Sequence, residues 1–102
     1  MITVCIRYVI DQNKHREFEK YARAWPEPIR RCGGDLVGYF LPTKLAGPTN
    51  EALALIAFPN LAAYEAYREA LSKDPEALAN VREAEASGVI IREDRAFVER
   101  IP

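Results

Sequence analysis

Two neighbouring runs, Asp35-Leu36-Val37-Gly38-Tyr39-Phe40-Leu41-Pro42 and Glu51-Ala52-Leu53-Ala54-Leu55-Ile56-Ala57-Phe58, are rich in β-formers and apolar on both sides. Successive side chains of a strand point to opposite faces. The first run therefore sets Leu36 and Phe40 against Val37, Tyr39 and Leu41, and the second sets Leu53, Leu55 and Ala57 against Ala54, Ile56 and Phe58. An antiparallel sheet with one wet face alternates apolar with polar residues. Neither run does, so both faces of the sheet they build call for cover.

Working outward, Thr43 to Asn50 contains Gly47-Pro48 and reads as a loop, short enough to join antiparallel neighbours. Upstream, residues 2–10 alternate as a strand, with Ile2, Val4, Ile6, Tyr8 and Ile10 on one side and Thr3, Cys5, Arg7 and Val9 on the other. Asp11-Gln12-Asn13 turns the chain, and Asn13 is expected to cap a helix whose apolar stripe is Phe18, Tyr21, Ala22, Trp25 and Ile29. Pro26 and Pro28 force that helix to kink or restart, and Gly33-Gly34 ends it. Downstream, Asn60 caps a helix carrying Leu61, Tyr64, Tyr67 and Leu71. Asp74-Pro75-Glu76 then starts another, with a cap, a proline at the first position and an acid in the first turn. That helix carries Leu78, Val81 and Ala84 and stops at Ser87-Gly88. Val89 to Ile101 reads as a fourth strand around Arg92-Glu93-Asp94-Arg95.

This order predicts an α+β fold, a ferredoxin-like four-stranded antiparallel sheet with helices on one face. The helices can cover only that face. A second copy packed sheet against sheet about a two-fold axis is expected on the other, giving a homodimer in the form of a dimeric α/β barrel. The 102 residues are expected to form one domain, residues 1–102, able to bury about two-thirds of its surface. With 49% hydrophobic and 28% charged residues and a net charge of −1, the chain is neither disordered nor suited to grip nucleic acid. The N-terminal run lacks the flanks of a signal peptide or membrane anchor and contains Arg7, so the expected location is the cytoplasm. Cys5 and Cys32 have no metal-ligand spacing and are expected to be reduced and buried.

No phosphate-binding loop, nucleophile elbow or metal cluster is present, so no cofactor and no metal is expected. Four residues stand out as ligand-binding candidates. Arg7 lies mid-strand among apolar neighbours and is expected to point between the two sheets, either anchoring a carboxylate, enolate or phenolate or pairing with Glu93 or Asp94. Tyr39 could donate a hydrogen bond to the same ligand, or merely fill the barrel. Arg92 and Asp94 share one face of the last strand, with Glu93 and Arg95 on the other, as cross-strand or intersubunit ion pairs or as a polar cavity mouth. His15, the one histidine, falls on the charged start of its helix and is read as a surface residue.

The segments Ile6-Arg7, Gly33-Gly34-Asp35-Leu36-Val37-Gly38-Tyr39, Gly47-Pro48-Thr49-Asn50, Leu61, Asp74-Pro75 and Glu93-Asp94-Arg95, in this order and spacing, resemble the NIPSNAP-like family over essentially the whole chain. The resemblance implies the dimeric α/β barrel reached above by patterning. Similar barrels in related families include cofactor-free monooxygenases, haem-handling enzymes and small proteins of no known activity, so the resemblance implies a shape rather than a reaction. Members often carry a histidine, a tryptophan and an arginine along the third strand, where this chain has Ala54, Ile56 and Ala57. Two functions are expected to compete: binding of a small apolar or aromatic molecule in the barrel, with cofactor-free oxygenation or isomerisation as its catalytic form, and a non-catalytic structural or interaction role for a packed barrel.

Overall fold

The computed structural model describes residues 1–102. The chain runs β1 (Ile2–Ile10), a 3-10 turn (Gln12–Lys14), α1 (His15–Arg23), α2 (Pro26–Arg31), β2 (Asp35–Phe40), β3 (Glu51–Phe58), α3 (Leu61–Leu71), α4 (Pro75–Ser87) and β4 (Ile90–Val98). The strands form one sheet in the order β2-β3-β1-β4, every neighbouring pair antiparallel. With helices on one face this is the ferredoxin-like arrangement, and the particle is a slab only 19 Å thick.

The core lies between sheet and helices. Val4, Ile6, Tyr8 and Ile10 of β1 and Ala52, Ala54, Ile56 and Phe58 of β3 are buried there, under Phe18, Tyr21, Trp25 and Ile29 of the first helix pair and Tyr67, Ala77 and Ala84 of the second. Tyr8 is central: its ring meets Phe18 at 5.1 Å and Tyr21 at 6.2 Å edge to face and stacks on Tyr39 at 6.1 Å. Residues of opposite parity, Arg7 and Val9 with Leu53 and Leu55, lie on the open face and are exposed or half-buried.

Local chemistry explains the breaks. Pro26 stands at the start of α2, where its missing N–H is not needed. Asp74 caps α4 by accepting from the N–H groups of Glu76 and Ala77, with Pro75 next to it. Gly88, at φ 69°, closes α4 in the left-handed conformation that a side chain would strain. Gly34 serves packing instead: a Cβ there would sit 2.8 Å from Ile29 Cγ2, 3.1 Å from Ile56 Cγ2 and 3.2 Å from Tyr67 Cε1.

Several expectations are corrected. Asp11, not Asn13, accepts the capping bond, from the Asn13 N–H, because a 3-10 turn precedes α1. The β2 strand ends at Phe40 and β4 at Val98, short of Pro42 and Ile101. The pairing of β2 with β3 slips between Leu36 and Gly38, so Leu36 opposes Ile56 and Tyr39 opposes Ala54 on the helix face. Leu36 and Tyr39 thereby share a face, and Phe40 goes to the open one opposite Leu53. On α4 the inner stripe is Ala77, Asn80 and Ala84, while Leu78 and Val81 are 40% and 36% exposed. Small residues let this helix approach closely, and the Asn80 amide donates to the Tyr21 carbonyl.

Candidate functional site

A cavity of about 540 Å³ opens between the helix layer and β4. Its apolar wall comes from Tyr21 and Trp25, where α1 gives way to α2, and from Leu71, Val81 and Ile90. The α1 periodicity places Tyr21 and Trp25 one turn apart on the buried face, and their rings meet edge to face at 5.7 Å. Its polar wall comes from Arg68 of α3, Glu85 of α4, and Glu93 and Arg95 of β4. Register explains the last two: Glu93 opposes Tyr8 and Arg95 opposes Ile6, both helix-facing positions of β1. A smaller cleft of about 290 Å³ between α1 and α4 shares Tyr21 and Ala84 with this cavity.

The Arg95 guanidinium and the Glu93 carboxylate pair at 2.8 Å. Burial opposes the charge of Arg95, but Glu93 outweighs it and raises the guanidinium above its ordinary value. Burial pushes the Tyr8, Tyr21 and Tyr39 phenols upward, and the Tyr67 phenol up to about 12, so all four hydroxyls stay protonated at neutral pH. Arg95 and Arg68 both work against the rise at Tyr67. The Trp25 indole Nε1 is buried without an acceptor at full hydrogen-bond geometry, and its nearness to the Tyr21 hydroxyl works against the rise that burial imposes on that phenol.

The four candidates separate. Tyr39 lies on the helix face, its hydroxyl 3.2 Å from that of Tyr8, and it lines a groove beside β2 rather than the cavity. Arg7, Arg92 and Asp94 lie on the open face. Arg7 is exposed, not buried, in the single subunit, and it opposes Asp94, whose carboxylate is taken by Arg92 at 2.9 Å. Arg7 and Tyr39 therefore take opposite faces of the sheet, because the bulge turns Tyr39 to the helix side. His15 is half-buried beside β2, its Nε2 3.3 Å from the Pro42 carbonyl, away from the cavity. Cys5 and Cys32 are both free thiols, Cys5 buried and Cys32 half-buried with its Sγ 3.6 Å from Asp74.

Sequence reasoning missed the cavity residues Trp25 and Arg68. Trp25 is indistinguishable from a core filler on a helical stripe. Arg68 does leave a trace, since it continues the row Leu61, Tyr64, Arg68, Leu71 on α3 with a cation where an apolar residue is usual.

Solved structures share this fold. A protein from Agrobacterium tumefaciens matches at a TM-score of 0.85 and 22% identity, covering 99% of this chain and 94% of that one. A NIPSNAP-like domain protein from Burkholderia xenovorans matches at 0.81 and 25%, covering 98% and 84%. A protein from Nitrosomonas europaea, provisionally named an antibiotic biosynthesis monooxygenase, matches at 0.69 and 13%, covering 100% of each chain. No protein of curated function matches. No helix is long and apolar enough to cross a membrane. The family model for NIPSNAP spans residues 3–102, and with the fold and these relatives it establishes that the chain belongs to the NIPSNAP family.

Proposed function

We propose that the chain binds a small apolar or aromatic molecule in the cavity between the helices and β4, packed against the rings of Tyr21 and Trp25. The reading rests on a cavity of about 540 Å³ whose wall carries the Tyr21 and Trp25 rings, edge to face at 5.7 Å. The volume lies in the range that encloses small organic ligands, and the mixture of aromatic wall and few polar groups suits one. Cofactor-free oxygenation or isomerisation of the bound molecule is the catalytic form of this reading, supported by likeness of fold to the Nitrosomonas protein.

Two copies packed through the open sheet face complete the proposal. A single subunit exposes 6793 Å², roughly 1,000 Å² more than the about 5,800 Å² expected of a monomer of this mass. A stable interface takes about 800 Å² from each partner. The open face offers Val9, Phe40, Leu53, Leu55 and Val98 around the unpaired Arg7. Light scattering should find a dimer, and a monomer at micromolar concentration would remove this part of the proposal.

Trp25 is the only tryptophan, so its fluorescence reports the cavity directly. Titration with naphthols and quinols should change that signal saturably, and native mass spectrometry should show the same molecules retained. The binding reading is lost if neither method detects a complex with any of them.

A further inference from the structure

We infer that Tyr39, Tyr8, Tyr21 and Trp25 form a relay that passes a hydrogen atom, as electron and proton together, from the groove beside β2 to a radical held in the cavity. That the radical sits in the cavity rests on the binding reading, whereas the relay stands on the chain alone. Indole and phenol give up one electron far more readily than phenyl, and exchange between rings falls off steeply with separation. From the cavity wall, the Trp25 ring meets Tyr21 at 5.7 Å, Tyr21 meets Tyr8 at 6.2 Å, and Tyr8 stacks at 6.1 Å on Tyr39, which lines the groove. The path joins two openings through a ring, Tyr8, that is only 1% exposed.

The hydroxyls matter as much as the rings. Phenyl groups would fill this core equally well, and a phenol taken out of water without a partner costs free energy. Here the Tyr8 and Tyr39 hydroxyls lie 3.2 Å apart, and the Tyr21 hydroxyl stands near both the Tyr8 hydroxyl and Nε1 of Trp25. A neutral phenol that loses an electron must also shed its proton, and each of these tips has a neighbour with which to exchange one. Tyr64 and Tyr67 pack with Phe58 and Phe97 instead and have no ring contact with the four. Each link breaks one bond to hydrogen and forms another. An alkoxyl radical of the bound molecule takes the indole hydrogen of Trp25 and becomes an alcohol; the indolyl radical takes the hydroxyl hydrogen of Tyr21, Tyr21 is restored from Tyr8, and Tyr8 from Tyr39. A one-electron reductant of the ascorbate or thiol class then returns an electron and a proton to Tyr39 and is itself oxidised, so no net charge moves.

Photoionisation of Trp25, the only tryptophan, at wavelengths that tyrosine does not absorb starts the relay from its cavity end with no ligand present. Transient absorption should show the tryptophanyl band decaying as a tyrosyl band rises, with one rate constant that does not change with protein concentration. Tyr21→Phe, with circular dichroism confirming the fold, should remove the tyrosyl rise, and Tyr64→Phe should leave it as it is. Tyr39→Phe should keep the rise but cost the tyrosyl band most of its quenching by ascorbate. The inference is overturned by a wild type without the rise, by a rise that scales with protein concentration, by one that survives Tyr21→Phe or is lost with Tyr64→Phe, or by ascorbate quenching that is equal with and without Tyr39. None of these outcomes depends on whether naphthols bind, so the binding reading stands or falls by its own titrations.

Discussion

Two ion pairs of the same make sit one residue out of step on β4. Glu93–Arg95 and Arg92–Asp94 have the same spacing and nearly the same length, 2.8 and 2.9 Å. The inner pair stands opposite Tyr8 and Ile6, its side chains 30% and 38% exposed, and lines the cavity. The outer pair stands opposite Val9 and Arg7, its side chains 70% and 52% exposed, on the bare face. Identical chemistry is therefore given different consequences by strand parity alone. Water weakens the outer pair to a near-neutral contribution, whereas removing one member of the inner pair strands a charge among tyrosines.

The largest test of this contrast compares neighbours on β1. Ile6→Ala, on the inner face and 2% exposed, should cost about 2–5 kcal/mol in urea unfolding. Arg7→Ala, one residue on, should stay within about 0.5 kcal/mol for the subunit. Equal losses would erase the distinction between faces.

Next in size is Arg95→Met, which keeps the stem but leaves Glu93 unanswered, and should lower stability by roughly 1–2 kcal/mol. Thermal unfolding read in parallel with Glu93→Gln separates the lost attraction from the stranded charge.

Arg31–Asp74 sharpens the comparison as a pair closed by three bonds over a helix start. The Arg31 guanidinium beside Asp74 holds its carboxyl below the usual carboxylate range, an effect that burial opposes and the capping N–H groups assist. A folded-state value lowered in this way stabilises the fold above the unfolded carboxyl's value of about 3.9, and that stability is lost as pH falls through the folded value. Asp74→Asn keeps a capping oxygen, so the variant should unfold with a flatter acid dependence below about pH 4 than the wild type. Parallel curves would mean that the ion pair contributes nothing to folding.

The smallest effect belongs to the outer pair. Asp94→Asn should shift the subunit's unfolding free energy by less than about 0.5 kcal/mol. Its visible consequence, if two copies meet on this face, should be in the dimer dissociation constant measured by sedimentation.

Much of this was legible from periodicity. The alternation of residues 2–10, the caps Asn60 and Asp74 and the apolar run 51–58 each led to an element where it is found, because each depends on local rules. The slip near Val37 was not, since one extra residue in a strand leaves no mark beyond the adjacent Gly38, and with it went the orientation of Tyr39. The site divided in the same way. Opposite faces for Glu93 and Asp94 were readable from parity, but recognising the inner pair as a cavity wall requires knowing that Leu78 and Val81 stay near the surface while alanines bring α4 in. No local pattern records how closely two helices approach.

Gly34 sits where α2, β3 and α3 converge, outside the cavity lining. The hydrogen atom in place of a methyl group lets α2 settle on β3 and α3 at once, and Trp25 stands immediately before α2. A methyl group at residue 34 would act as a shim, prising α2 away from Ile56 and Tyr67 and tilting the indole from behind. A change at residue 34 would therefore reach the chamber only through the seating of α2, since Gly34 is not among the residues that line it.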